Sequence, residues 1–139
     1  MHGKIAKRIA IGFAAYVTSQ IGKINYERSV APGGGGNRYS YLSCESLISL
    51  HYFLVEHLPP ILKKGLDGLQ TEEYELETSS TSGKSVKVRL DRELLIISIN
   101  GEPILKTANP MTILPKTLKP EMVTSDKILM LLQGEPPFV

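Results

Sequence analysis

The chain is predicted to be an α+β domain: N-terminal helices, a four-stranded antiparallel β-meander and a short C-terminal helix. Three observations predict it. Apolar residues recur at helical spacing through the first sixty or so positions. Between residues 71 and 106 the pattern switches to alternation broken by turn residues. Near the end, an apolar run lies between Thr124-Ser125 and Gly134. The 139 residues, 42% hydrophobic and 22% charged, suit one globular domain (1–139) with its own core.

The first helix is expected over residues 4–22. Ile5, Ile9, Phe13 and Tyr16 fall on one stripe at 100° per residue, and Ile24 joins them if the helix continues. Lys4, Lys7 and Arg8 fall on the opposite side, with Ile11 and Ala15 thinning that polar face. The first acidic residue is Glu27, so residues 1–24 form a basic amphipathic helix or arm. Residues 29–40 follow as a flexible loop containing Pro32 and Gly33-Gly34-Gly35-Gly36. No Gly-Lys-Ser/Thr closes that loop before a helix, so it is not a phosphate loop.

The second helix is expected over residues 44–58. Ser43 or Ser40 is its N-cap, Leu47, Leu50, Leu54 and Leu58 are its apolar stripe, and Pro59-Pro60 ends it. A further turn over 61–66 can follow. His51 projects onto the centre of the leucine stripe and is expected to be buried. Phe53 projects among Glu45, Ser46, Ser49 and Glu56, where an aromatic suggests contact with another element or subunit.

Residues 71–106 form the expected meander. Residues 71–78 alternate, with Glu73, Glu75 and Glu77 on one side and Tyr74 and Leu76 on the other. Residues 84–90 alternate again, Asp91-Arg92 makes a tight turn, and 93–99 is nearly all apolar. Asn100-Gly101 is a strong hairpin signal before 102–106. Two-residue turns place Val88 opposite Leu95, Val86 opposite Ile97, and Ile97 opposite Ile104. That register leaves a second apolar cluster, Leu94, Ile96 and Leu105, on the other face beside Lys87 and Arg89. Residues 107–121, with Pro110, Pro115 and Pro120, read as an extended arm on the surface. A last helix is expected over 125–133, capped by Thr124 or Ser125 and stopped by Gly134.

Catalytic and metal-binding patterns are missing from the sequence. Gly83-Lys84-Ser85 lacks the earlier glycine of a nucleotide loop, since position 78 is Thr78. Cys44 and His51 share a helical face but stand about 10.5 Å apart along the axis, too far to bind one ion or to form a nucleophile–base pair. The expected protein is therefore not an enzyme and has no cofactor or metal. Cys44 is the only cysteine, which excludes an intrachain disulfide and points to an intracellular, reducing compartment. No run of about 18 apolar residues predicts a spanning helix. Residues 1–23 have the basic, acid-free character of a mitochondrial transit peptide but lack its Arg and Ser richness.

The net charge is +2. It divides unevenly: residues 1–66 hold eight Lys/Arg and three acids, residues 67–139 eight Lys/Arg and eleven acids. The basic half is the functional hint. The leading expectation is a matrix- or assembly-like structural or adaptor protein. It would form a homo-oligomer and bind an anionic membrane face through Lys4, Lys7, Arg8 and Lys23. Self-association would use Phe53, Leu94, Ile96 and Leu105. The alternative is a nucleic-acid-binding module in which Arg28, Arg38, Tyr39 and Tyr41 join the same lysines. A third reading is a chaperone or regulatory subunit that clasps another protein.

Overall fold

The structure, a computed structural model, describes residues 2–30, 44–64, 72–77, 85–115, 117–135 and 137. It is an α+β chain. Helices α1 (His2–Val30) and α2 (Cys44–Lys64) come first. Strands β1 (Glu72–Glu77), β2 (Ser85–Leu90), β3 (Leu94–Ile99) and β4 (Glu102–Ala108) follow, then 3-10 turns at Pro110–Thr112 and Pro120–Met122, and helix α3 (Ser125–Leu132). One buried apolar cluster joins α1, α2, the inner face of β2–β4, the segment after β4, and α3.

Helix α1 runs eight residues beyond its expected end, because no proline interrupts the chain before Pro32. Ile5, Ile9, Phe13, Val17 and Ile21 are fully buried, and Ala6, Ala10 and Ala14 are buried beside them. Each large side chain so placed contributes about 1.5–3 kcal/mol of transfer free energy. The helix packs mainly along α2, and also touches β4, α3 and the second 3-10 turn.

Pro59-Pro60 does not end α2, which continues to Lys64. Neither proline nitrogen can donate to the carbonyl four residues back, so Val55 and Glu56 lose their helical partners. Burial of Leu58, Ile61 and Leu62 on both sides of the pair offsets that loss. His51 is half-buried rather than buried, with its ring edge-on to Tyr52 at 5.5 Å. Leu50, Leu54 and Leu58 alone fill the centre of the helix's buried face, and Leu47 is half-buried beside them.

Strands β2, β3 and β4 form a three-stranded antiparallel sheet. The backbone of β1 runs antiparallel along β2, with Glu73 opposite Arg89 and Glu75 opposite Lys87. The expected β2–β3 register is off by two residues: Val88 lies opposite Ile97, Val86 opposite Ile99, and Leu90 opposite Leu95. The cause is Asp91. Its Oδ1 accepts the N–H groups of Glu93 and Leu94 at 2.8 and 2.6 Å, which widens the turn. An even shift keeps each residue on its face, so Val86, Val88, Leu90, Leu95, Ile97 and Ile99 are all buried.

The Asn100-Gly101 turn has φ of 51° and 82°, the positive pair of a type I′ hairpin. Asn100 Oδ1 also accepts the Ser85 N–H at 2.7 Å. Beyond the turn, Ser98 pairs with Pro103 but Ile97 pairs with Leu105, so Ile104 is the extra residue of a bulge. Pro103 has no N–H for the ladder, and the strand re-registers just past it. Leu105 therefore faces inward and is buried, and the expected Ile97–Ile104 pairing does not form.

The segment after β4 is not the extended surface arm expected. It winds into two 3-10 turns, and Pro110, Met111, Leu118 and Val123 are buried. Asn109 anchors it. Its backbone N–H donates to the Glu93 carbonyl at 2.8 Å, its Nδ2 donates to the Asp91 carbonyl at 2.8 Å, and its Oδ1 accepts from Met111 N–H at 3.1 Å. Helix α3 is capped by Thr124 and closed by a Schellman pair, Glu135 N–H to Met130 O and Gly134 N–H to Leu131 O, with Gly134 at φ 76°. Thr107 on β4 donates its hydroxyl to the Leu131 carbonyl at 3.0 Å, tying α3 to the sheet.

Candidate anion-binding site

Because the apolar stripe of α1 is buried against its own domain, the opposite face is what α1 offers outward. Lys4, Lys7, Arg8, Ile11, Ala15, Ser19 and Lys23 are exposed along it. Lys4 and Lys7 are three residues apart, and Lys4 and Arg8 four, so like charges share one helical surface. Each such pair costs a helix about 0.2–0.5 kcal/mol. No acidic residue sits in the first turn to offset them.

Helix α1 meets the second 3-10 turn at this end, and an open hollow of about 770 Å³ lies between them. Lys4, Lys7, Arg8 and Ile11 line it from α1, and Lys119, Pro120 and Glu121 from the turn. Four cations thus surround one concave surface with a single carboxylate at its wall, while Ile11, 42% exposed, and Pro120 supply apolar contact. Among the described residues the charged groups of these four side chains take part in no ion pair or hydrogen bond. Burial of Leu118 and Val123 on either side of the turn fixes where Lys119 stands.

The structure brings together three of the four cations expected on the first helix. Lys23 is exposed on the same helix but lies fifteen residues beyond Arg8, about 22 Å along the axis, and is not part of the hollow. Arg28 belongs to α1 by its backbone, and its side chain lies outside the described residues, as do Arg38, Tyr39 and Tyr41. Lys119 was missed by the sequence reading. Its neighbours carry no periodic signal, and its partnership with α1 is a long-range contact.

The four residues expected on an association surface do not form one patch. Phe53 is half-buried against the core, with its ring 4.4 Å from that of His57 on the same helix and tilted 42° to it. Leu105 is in the core, for the reason given by the bulge. Leu94 and Ile96 remain half-buried on the outer sheet face, where Ile96 sits in register between Arg89 and Lys106. The aliphatic stems of such neighbours can cover an apolar side chain while their charges stay in water. Helix α2 presents a different apolar spot, Ile48 and Tyr52, one turn apart and 59% and 68% exposed.

Among the described residues no three His, Cys, Asp or Glu side chains converge on a point where a metal ion could sit. No described helix is long and apolar enough to cross a membrane. The chemistry available to the hollow is charge and hydrogen-bond donation toward anions. No protein-family model, curated protein or solved structure matches the chain significantly.

Proposed function

We propose that this protein is a non-enzymatic structural or adaptor protein that self-associates and docks on an anionic membrane face, in the manner of a matrix or assembly protein. The observation that carries the reading is the outward basic end of α1, where Lys4, Lys7 and Arg8 join Lys119 around one hollow with no ion pair among the described residues. The buried stripe of α1 sets the mode. Ile5, Ile9 and Phe13 are committed to the core, so the helix docks by charge and does not sink its apolar face into the bilayer. Each lysine or arginine near an anionic leaflet contributes about 1 kcal/mol, an attraction screened over a Debye length of roughly 8–10 Å.

In this reading β1 completes the meander as its fourth, edge strand. Self-association uses Leu94 and Ile96 on the outer sheet face. A nucleic-acid role for the same cations is the second reading, and the exposed basic face of α1 supports it as well. The membrane reading is preferred because a net charge of +2 is modest for a nucleic-acid-binding domain.

Vesicle flotation tests the proposal. The wild-type protein should float with phosphatidylserine vesicles at low salt, and the triple variant Lys4→Glu, Lys7→Glu, Arg8→Glu should not. Equal flotation of the two proteins, or tighter binding to RNA or DNA than to vesicles, would sink the membrane reading. A mass of 15.3 kDa in solution at high protein concentration, the monomer value, would remove self-association.

A further inference from the structure

We infer that the hollow between α1 and the second 3-10 turn is a discrete site for a polyphosphorylated ring headgroup, with Lys119 as the residue that makes it selective. The inference rests on the membrane-docking reading and goes further, from a charged face to a shaped pocket. A generic anionic surface needs only outward lysines, and Lys4, Lys7 and Arg8 on one helix face already meet that need. It does not need a fourth cation, brought from more than a hundred residues away, on the far wall of a concavity. Cations on two facing walls suit a ligand that carries charge on more than one side.

The composition of the walls narrows the chemistry. Three lysines act as compact point charges, and one arginine can engage a phosphate through two parallel N–H donors. Four cations against Glu121 leave the hollow net positive by three, which matches a ligand with several phosphate charges better than a monocarboxylate. Ile11 and Pro120 lie among the cations and give an apolar contact that a bare phosphate cannot use but the C–H face of a sugar-like ring can. The hollow is also much larger than one phosphate group requires. Glu121 opposes anions and sits on the same turn as Lys119, so it favours ligands whose phosphates lie toward α1 and Lys119.

The ligand chemistry has two sources, a phosphoinositide in a membrane and a free inositol phosphate, and one set of measurements separates them. Wild-type protein and Lys119→Gln are compared for binding to phosphatidylserine vesicles, to phosphatidylinositol bisphosphate vesicles of equal surface charge, and to soluble inositol trisphosphate by calorimetry. Lys119 is exposed and lies outside α1, so circular dichroism should show the variant folded. The wild type should prefer the bisphosphate vesicles by about tenfold, the effect of one good charge-assisted contact. Lys119→Gln should lose most of that preference and keep phosphatidylserine binding within about twofold. Equal wild-type binding to the two vesicle types, or a preference unchanged in Lys119→Gln, overturns the pocket and leaves surface docking standing. Binding of soluble trisphosphate that depends on Lys119, without binding to any vesicle, supports the pocket and overturns the docking reading. No binding to any of the three overturns both.

Discussion

Gly12 lies at a close approach of α1 and α3, and Gly12→Ala is a direct test of that packing. A Cβ at position 12 would lie 2.6 Å from Ile128 Cγ2 and 2.8 Å from its Cδ1. Ordinary contact begins about 1 Å further out. Ile128 cannot swing aside cheaply, because a β-branched side chain in a helix has essentially one χ1 rotamer. Helix α3 must therefore retreat, against the burial of Leu131 and the Thr107 hydroxyl bond to its carbonyl. Alanine gains about 1 kcal/mol of helix propensity over glycine. Overpacking of this kind costs about 1–3 kcal/mol, and with two methyl groups in the way we place it at the upper end. The expected net loss is about 1–2 kcal/mol, which lowers a urea midpoint by roughly 0.5–1 M at a slope near 2 kcal/mol/M. The double variant Gly12→Ala, Ile128→Ala removes both clashing methyls and should be more stable than the sum of the single effects by at least about 1 kcal/mol. A Gly12→Ala protein as stable as wild type, or additive single effects, would refute the close α1–α3 approach.

Two further stability predictions follow from particular residues. Pro60→Ala restores a donor to the Glu56 carbonyl in a helix that is continuous through the proline pair, and should raise stability by about 1 kcal/mol or more; a lowered melting temperature would contradict that continuity. Asn109→Ala leaves the Asp91 carbonyl and the Met111 N–H without their partner at a buried site and should cost about 2–3 kcal/mol in denaturant titration; a loss below about 0.5 kcal/mol would show that the Asn109 anchor does not hold the segment after β4.

The sequence made the elements and their faces legible because both rest on local periodicity. The stripe Ile5, Ile9, Phe13 and the alternation Val86, Val88, Leu90 are buried as spacing alone required. What was not legible depended on single polar atoms or on packing at a distance. The β2–β3 register moved by two because one Asp91 oxygen holds two backbone N–H groups, a choice alternation cannot report since either register buries the same residues. Leu105 changed face because Pro103 forced a bulge at one position. The continuity of α2 through Pro59-Pro60 is a tertiary override: the local rule against proline is sound, and the burial of Ile61 and Leu62 beyond the pair outweighs it. The segment after β4 read as extended because its prolines are local signals, while Asn109 and buried Leu118 act through neighbours far away in sequence.

The candidate site divides along the same line. Lys4, Lys7 and Arg8 were legible because an acid-free start and a 3.6-residue period put them on one face. The apolar stripe on the opposite side was ambiguous by its nature: an amphipathic helix is read identically whether its stripe meets lipid or its own core, and here it meets the core. The consequence changes the chemistry expected of the site. A helix that inserts is selected for hydrophobic depth and responds weakly to headgroup identity. A helix locked to its domain contributes only its charged face, and its selectivity must come from whatever the fold sets opposite that face. Lys119 and Glu121 are what this fold sets there, so headgroup discrimination, rather than anionic binding as such, is the property on which the two modes differ most.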